Sequence, residues 1–225
     1  MRHVYLTACV CFSLLSTAFD TQASEVYVQL PGAGSLSQRI SSTLNNAGLS
    51  PGSRTADDFL VGADAAITDV YWWGQSNSGG SDFQITFYSD SLGIPGAVLQ
   101  TSAMSSLFTQ TDDTGAPSGP SVYYSGALVS PFSANADTTY WISIFNQASD
   151  ASWLWLSADS AGNGSVQGLN PGPPWAVSPY DPLPPDMSFG LISTVPLPPA
   201  VWLLGAGLAG LFGFARRRKA NEIAA

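Results

Sequence analysis

The fold is decided by residues 83–88, which read FQITFY. The three apolar residues at odd positions in this run alternate with Gln84 and Thr86, and such a period of two places one set of side chains on each face of an extended chain. Residues 140–145, YWISIF, show the same period, with Tyr140, Ile142 and Ile144 on one face and Trp141, Ser143 and Phe145 on the other. The two runs therefore predict β-strands that turn one face toward a hydrophobic core.

Similar short runs, rich in aromatic and β-branched residues, recur between clusters of Gly, Asp, Ser and Pro. Together they predict strands at residues 58–61, 67–73, 83–88, 97–102, 122–129, 138–145, 152–157 and 187–192, with a further strand-like stretch at 26–28. Strands spaced by roughly 10–16 residues with turn residues between them are typical of a sandwich of two sheets. We therefore predict an all-β fold, an antiparallel, jelly-roll-like β-sandwich.

Two segments between the predicted strands carry turn and loop signals. Residues 89–96, SDSLGIPG, predict a turn that joins two neighbouring strands. Residues 170–185 contain seven prolines, which predict a long irregular loop. Because the last predicted strand follows this loop, we place the loop inside the domain.

Both ends of the chain read as export signals. Arg2 and His3 precede a mostly apolar segment that ends near a small-residue cleavage pattern at Ala23, so residues 1–23 are predicted to be a signal peptide. The uncharged run 200–215 covers roughly 24 Å as a helix and predicts one transmembrane helix. Residues 24–194 are then the ectodomain.

A cluster of four positive charges follows the apolar run, and it consists of Arg216, Arg217, Arg218 and Lys219. Because such clusters stay on the cytoplasmic side of a membrane, they predict that the ectodomain faces outward. Residues 195–225 thus form a three-part tail with a proline motif, an apolar helix and a basic cluster.

The proline motif consists of Val195, Pro196, Leu197 and Pro198. With the small-residue-rich apolar run and the basic cluster, this tail resembles the PEP-CTERM sorting signal of Gram-negative bacteria in its Val-Pro-Leu-Pro form. The resemblance covers about 25 residues, and Leu197 stands where the name-giving motif has Glu, which leaves open the variant of the processing enzyme.

The resemblance implies an exosortase substrate. Exosortase is a membrane protease that cleaves near the proline motif, so the precursor would be anchored only transiently in the inner membrane. The processed protein would then reach the cell surface or the exopolysaccharide matrix of a biofilm. The segments at 56–59, 71–74, 87–96, 140–143 and 186–189 also resemble β-sandwich ectodomains often found ahead of such tails.

Charge and composition exclude several classes of function. Between residues 24 and 195, two bases, Arg39 and Arg54, stand against fourteen acids, a net charge of 2 − 14 = −12. Such a surface does not bind nucleic acid, because phosphate affinity needs Lys and Arg. The chain's two cysteines and its one histidine all lie within residues 1–23. Their removal with the signal peptide excludes a Ser-His-Asp or Cys-His catalytic unit and a Cys/His zinc site.

Carboxylate chemistry is the remaining route to an enzyme or a metal site. The ectodomain has one Glu, Glu25, and no pair of Asp stands out for glycoside hydrolysis, so we predict no enzyme activity. Oxygen ligands for Ca²⁺ could come from four acidic sites, Asp57-Asp58, Asp64, Asp69 and Asp112-Asp113. None fits the EF-hand loop pattern, so we predict no metal or cofactor, with Ca²⁺ as the alternative.

The tryptophans are the candidate ligand contacts. Trp153 and Trp155 lie two residues apart and share one face of a strand, whereas Trp72 and Trp73 point to opposite faces. An exposed indole can stack on the apolar face of a sugar ring, so these four are candidate glycan contacts. The alternative for each is packing in the core.

These observations predict an exported protein of the cell surface or extracellular matrix, with a structural or adhesive role in exopolysaccharide. One alternative is a carbohydrate-binding module with a defined glycan ligand. A polysaccharide hydrolase is the less favoured alternative.

Overall fold

The computed structural model describes residues 21–32, 38–43, 52–76, 82–104, 107–112, 121–148, 152–159, 164–169, 174–176 and 185–196. This part of the chain is all-β, with thirteen strands and no helix. Residues Ala23–Val195 form one compact unit. The strands are β1 Thr21–Gln29, β2 Gln38–Ile40, β3 Ser53–Leu60, β4 Ala65–Ser76, β5 Phe83–Asp90, β6 Pro95–Ala103, β7 Leu107–Asp112, β8 Ser121–Ala134, β9 Thr139–Asn146, β10 Trp153–Leu156, β11 Val166–Leu169, β12 Trp175–Ala176 and β13 Phe189–Pro196.

The first sheet is built around β4, which pairs with three other strands. One edge of β4 pairs with β8, which in turn pairs with β7. The other edge is shared by two strands placed end to end, because residues 67–72 pair with β13 and residues 74–76 pair with β10. β1 extends this sheet beside β13, and β2 extends it beside β10.

The second sheet has the strand order β12-β11-β3-β9-β5-β6. The two runs that decide the fold, β5 and β9, are direct neighbours in it, with Ile85 opposite Ile144. Because side chains alternate along both strands, the odd-numbered residues of 83–87 and the even-numbered residues of 140–144 meet in the core, whereas Trp141 packs with Tyr88 on the other face. The prediction of two antiparallel sheets is confirmed.

Aromatic rings from the two sheets fill the space between them. The Phe83 ring centroid of β5 lies 5.1 Å from that of Trp72 in β4 and 5.0 Å from that of Trp153 in β10. Phe87 stacks on Phe132 of β8, with 4.1 Å between ring centroids. Each buried aromatic side chain removes about 150–250 Å² from water, so these contacts supply much of the driving force for packing the two sheets together.

Residues 185–188, the strap that leads into β13, tie the sheets together through backbone polar groups. The Met187 N–H donates to Oδ2 of Asp57 in β3 at 2.7 Å, whereas the Ser188 N–H donates to the carbonyl oxygen of Leu156 in β10 at 2.8 Å. The strap thus bonds to both sheets. Buried backbone groups of an irregular segment need such partners.

All eight strands predicted from the sequence are present, and most are longer than predicted. β1 extends well beyond the predicted stretch at 26–28, and β2, β7, β11 and β12 were not predicted. The turn prediction is confirmed: Leu92 and Gly93 adopt left-handed φ values of 59° and 81°, and the Gly93 N–H donates to the carboxylate of Asp90 at 3.2 Å.

The predicted proline-rich loop contains a strand. β12 lies inside residues 170–185 and pairs with β11. The placement of this segment within the domain is confirmed, because β13 follows it and pairs with β4 in the first sheet.

Gly74→Ala is predicted to destabilise the fold. The Trp153 indole lies directly over Gly74, and a Cβ at this position would overlap its ring atoms. Overpacking in a well-packed core costs about 1–3 kcal/mol, so we expect a lower denaturation midpoint in urea. Gly62→Ala is the matched control, since nothing lies within 4 Å of its Cβ position. Equal midpoints for the two variants would contradict the packing described here.

Candidate functional site

The four tryptophans predicted to contact glycan are buried. Trp72, Trp153 and Trp155 have 0 % of their surface exposed and lie between the sheets, and Trp73, on the other face of β4, is 7 % exposed. Trp153 and Trp155 do share one face, but it is the inner face of the first sheet. Because their rings are covered, the structure contradicts the glycan-contact prediction for all four, and core packing is the observed role.

The outer face of the first sheet carries a groove with a volume of 470 Å³. This volume falls within the range of about 300–1,000 Å³ that is usual for small-molecule sites. Four strands contribute to its walls. The lining residues are Asp69 of β4, Leu107 and Phe108 of β7, Tyr123, Ser125, Gly126 and Ala127 of β8, and Ile192 of β13.

Strand alternation and a bulge place the groove. Asp69, two residues before Tyr71, lies on the outer face of β4, opposite Ala127 of β8. The pairing register then shifts. The next paired residues are Ile67 and Phe132, so two residues of β4 lie opposite five residues of β8. A bulge of this kind bends the strand and re-aims its side chains, and the groove lies beside it.

Aromatic residues form one wall of the groove and the surface next to it. Phe108 is 58 % exposed, and its ring centroid lies 6.3 Å from that of Tyr123 in an edge-to-face contact. Tyr123 contacts Tyr71 and Trp73, at centroid distances of 5.8 and 5.4 Å. Phe108 therefore presents an exposed ring on a base of packed aromatic side chains.

Tyr71 anchors this aromatic group to the sheet. Its hydroxyl donates to the Glu25 carboxylate of β1, and burial, followed by that hydrogen bond, raises the pKa of Tyr71 above its ordinary value. The ring lies over Gly190 of β13, where a Cβ would overlap it. Glycine is required here by this close approach.

The polar groups of the groove are few. Asp69 and Ser125 are both partly buried, and none of the described lining residues is basic. The part of the lining that the structure describes includes one carboxylate, whereas glycoside hydrolysis uses a pair. An exposed ring beside a carboxylate and a hydroxyl is an arrangement for binding a hydroxyl-rich, apolar-faced ligand.

A second polar site, centred on the buried carboxyl of Asp57, lies inside the sandwich. Asp57 has 0 % exposed surface, and its Oδ1 is buried without a hydrogen-bond partner among the described residues. With its amide nitrogen facing Asp57, Gln29 donates to Oδ2 of Asp57 at 3.0 Å and to the Met187 carbonyl at 2.6 Å. Its amide oxygen then accepts from the Tyr27 hydroxyl at 2.6 Å.

Burial raises the pKa of Asp57 well above its ordinary value, and the hydrogen bond from Met187 opposes this only in part. The neighbouring carboxylates Asp186 and Asp58 raise the pKa further. The neutral carboxyl is therefore favoured at this site. Desolvation also raises the pKa of Tyr27, with added contributions from the same three carboxylates.

The acidic residues considered for Ca²⁺ are dispersed. Asp57 is inside the sandwich, Asp69 is in the groove, and Asp64 accepts from the Ala136 N–H at 2.8 Å in a loop. The side chains of Asp112 and Asp113 lie outside the described residues. Among the described residues, no group of three or more Asp, Glu, His or Cys side chains is placed to hold a metal ion.

The predicted sorting tail lies almost wholly outside the described residues. Val195 and Pro196 are the last two residues of β13. Leu197, Pro198, the run at 200–215 and the basic cluster at 216–219 are beyond them, as are residues 1–20. Within the part of the chain that the structure describes, no helix is long and apolar enough to cross a membrane.

Sequence reasoning missed Phe108, Tyr123 and Ser125 and considered Asp69 only as a calcium ligand. Tyr123 and Ser125 lie two apart in a predicted strand, so their shared face could have been noted. No comparison supplies further residues: no protein-family model matches the chain, and no curated protein matches it.

Asp57→Asn is predicted to reduce the pH dependence of stability. A carboxyl whose pKa is raised by folding binds more protons in the folded state, so stability falls as pH rises from about 4, the unfolded pKa, through the folded pKa. Asparagine keeps an acceptor for the Met187 N–H but has no charge to bury. We expect the melting temperature to fall less between pH 5 and pH 8 in this variant than in the wild type.

The matched control for this comparison is Asp82→Asn, because Asp82 is exposed. This control should keep the wild-type pH dependence. The account of Asp57 would be wrong if both variants followed the same melting curve across this pH range.

Proposed function

We propose that this chain is an exported structural or adhesive protein of the cell surface or exopolysaccharide matrix of a Gram-negative bacterium. A signal peptide at residues 1–23 starts its export, and the tail at residues 195–225 holds the precursor in the inner membrane until an exosortase-type protease cuts it. The jelly-roll-like sandwich is the delivered part. It acts by binding and packing, not by catalysis.

The end of β13 is the observation that carries this proposal. β13 lies between β1 and β4 in the first sheet and ends at Pro196. The sorting motif, Val195 to Pro198, thus begins where the last strand ends. A cut beyond Pro196 leaves the thirteen described strands on the released side, and removal of residues 1–23 takes three residues from the start of β1.

The sandwich itself suits an exported product. Its core is packed from aromatic and aliphatic side chains, and residues 24–195 contain no cysteine. A domain of this size can bury an adequate core without disulfides. The net charge of −12 over this segment, from two bases and fourteen acids, favours solubility outside the cell.

Subcellular fractionation with intact-mass measurement tests the proposal. The wild-type protein should appear in the surface or matrix fraction with a mass that lacks both the signal peptide and the tail. A variant that lacks residues 197–225 keeps β13 whole, and we expect it to fold but to be lost to the periplasm or the medium.

Replacing Arg216, Arg217, Arg218 and Lys219 by Gln is the second arm. It keeps the length and the proline motif but removes the charge that orients the precursor, so uncleaved protein should accumulate. Full-length protein found as the sole, permanent inner-membrane species in the wild type would overturn the proposal.

A further inference from the structure

We propose that the groove on the outer face of the first sheet binds a strand of neutral polysaccharide. Phe108 and Tyr123 supply the aromatic contacts, and Asp69 and Ser125 bond to sugar hydroxyls. This inference rests on the proposed function, since it names the ligand class that would hold the protein in the matrix.

The exposed ring of Phe108 points to a sugar ligand. At 58 % exposure it lies outside the core, and it makes an edge-to-face contact with Tyr123. A pyranose ring has one apolar C–H face that packs on such an aromatic surface. A pre-positioned ring loses little conformational freedom on binding, which favours affinity.

The polar groups of the groove complement the remaining edge of the sugar. The Asp69 carboxylate accepts hydrogen bonds from two adjacent hydroxyls, and the Ser125 hydroxyl both donates and accepts. Asp69 belongs to β4 and Ser125 to β8, which are paired strands. Both groups therefore sit on rigid elements, as a specific site requires.

Charge selects a neutral glycan over an acidic one. Among the described residues of the lining, Asp69 is the only carboxylate and none is a base. Between residues 24 and 195, fourteen acids oppose two bases, and those bases are remote from the groove in sequence and on other strands: Arg39 on β2 and Arg54 on β3. A uronate or sulfated chain would be repelled by this surface.

The size of the groove favours a glycan strand over a folded protein. A stable protein interface engages about 20–30 residues on each partner, whereas eight of the described residues line this groove. The other strongly exposed apolar side chains, such as Val98 of β6 and Val129 of β8, do not line it. A slender, hydroxyl-rich chain fits these dimensions better.

Affinity electrophoresis of the full-length protein, in native gels with nonionic detergent, tests the inference. Dextran, galactomannan and mixed-linkage β-glucan are the neutral probes, and alginate and polygalacturonate are the acidic ones. We expect at least one neutral polysaccharide to retard the wild type and neither acidic one to do so. Phe108→Ala should raise the dissociation constant obtained from the retardation about tenfold, which corresponds to about 1.4 kcal/mol. Asp69→Asn should raise it as well.

Two further variants separate binding from folding. Phe108→Trp keeps an aromatic face at the same position and should retain binding. Val98→Ala removes an exposed apolar side chain from β6 in the other sheet, and we expect wild-type retardation. The inference is overturned if no neutral polysaccharide retards the protein, if Phe108→Ala binds like the wild type, or if the groove instead captures an acidic polysaccharide or a protein.

The outcomes of this test and of fractionation are independent. Protein that reaches the surface but shows no groove-dependent glycan binding contradicts this inference alone. Protein that binds neutral glycan through Phe108 yet stays full-length in the inner membrane contradicts the proposed export and leaves the groove's ligand class supported.

Discussion

The contact of one phenylalanine with two tryptophans holds the two sheets together. Phe83 lies against Trp72 and Trp153 across the interior, and all three side chains are almost fully buried. Trp153 fits only because Gly74 leaves room beneath its indole. The large rings therefore set the spacing of the sheets, and the smaller residues around them adapt to it.

A buried hydrogen bond between the sheets accompanies this apolar packing and positions the start of β13. Asp57 extends from the second sheet to the Met187 N–H of the strap, and the strap continues into β13 of the first sheet. The link fixes where the last strand enters the sheet, at the energetic cost of burying a carboxyl. Stability is thus provided by the rings, and the path of the chain is set by a few hydrogen bonds.

The strand pattern could be predicted from the sequence, but the faces of the strands could not. Residues 83–88 and 140–145 show a period of two, so both strands could be predicted, whereas their pairing with each other could not. Alternation also placed Trp153 and Trp155 on one face, but it carries no information on which face meets the other sheet. The short strands β2, β11 and β12 have too few residues for a period of two to be recognised, and they depend on neighbours distant in sequence.

The groove was missed for a related reason. It arises where four strands and a bulge in β8 meet, and its residues come from positions 69, 107–108, 123–127 and 192. No local pattern joins these segments. Tryptophan stacks well on sugars, but its large apolar surface also favours burial, and in this fold Trp153 and Trp155 are buried whereas Phe108 is exposed.

The central claim is that tryptophan packs the interior and leaves recognition to other residues. Fluorescence quenching tests it, because quenching reports how accessible the indole rings are to solvent. Replacing Trp175 and Trp202 by Phe leaves five tryptophans, Trp72, Trp73, Trp141, Trp153 and Trp155, each at most 7 % exposed. The account predicts blue-shifted emission and weak quenching by acrylamide in the folded state, with strong quenching only after denaturation. Red-shifted emission that acrylamide quenches readily in the folded protein would contradict it.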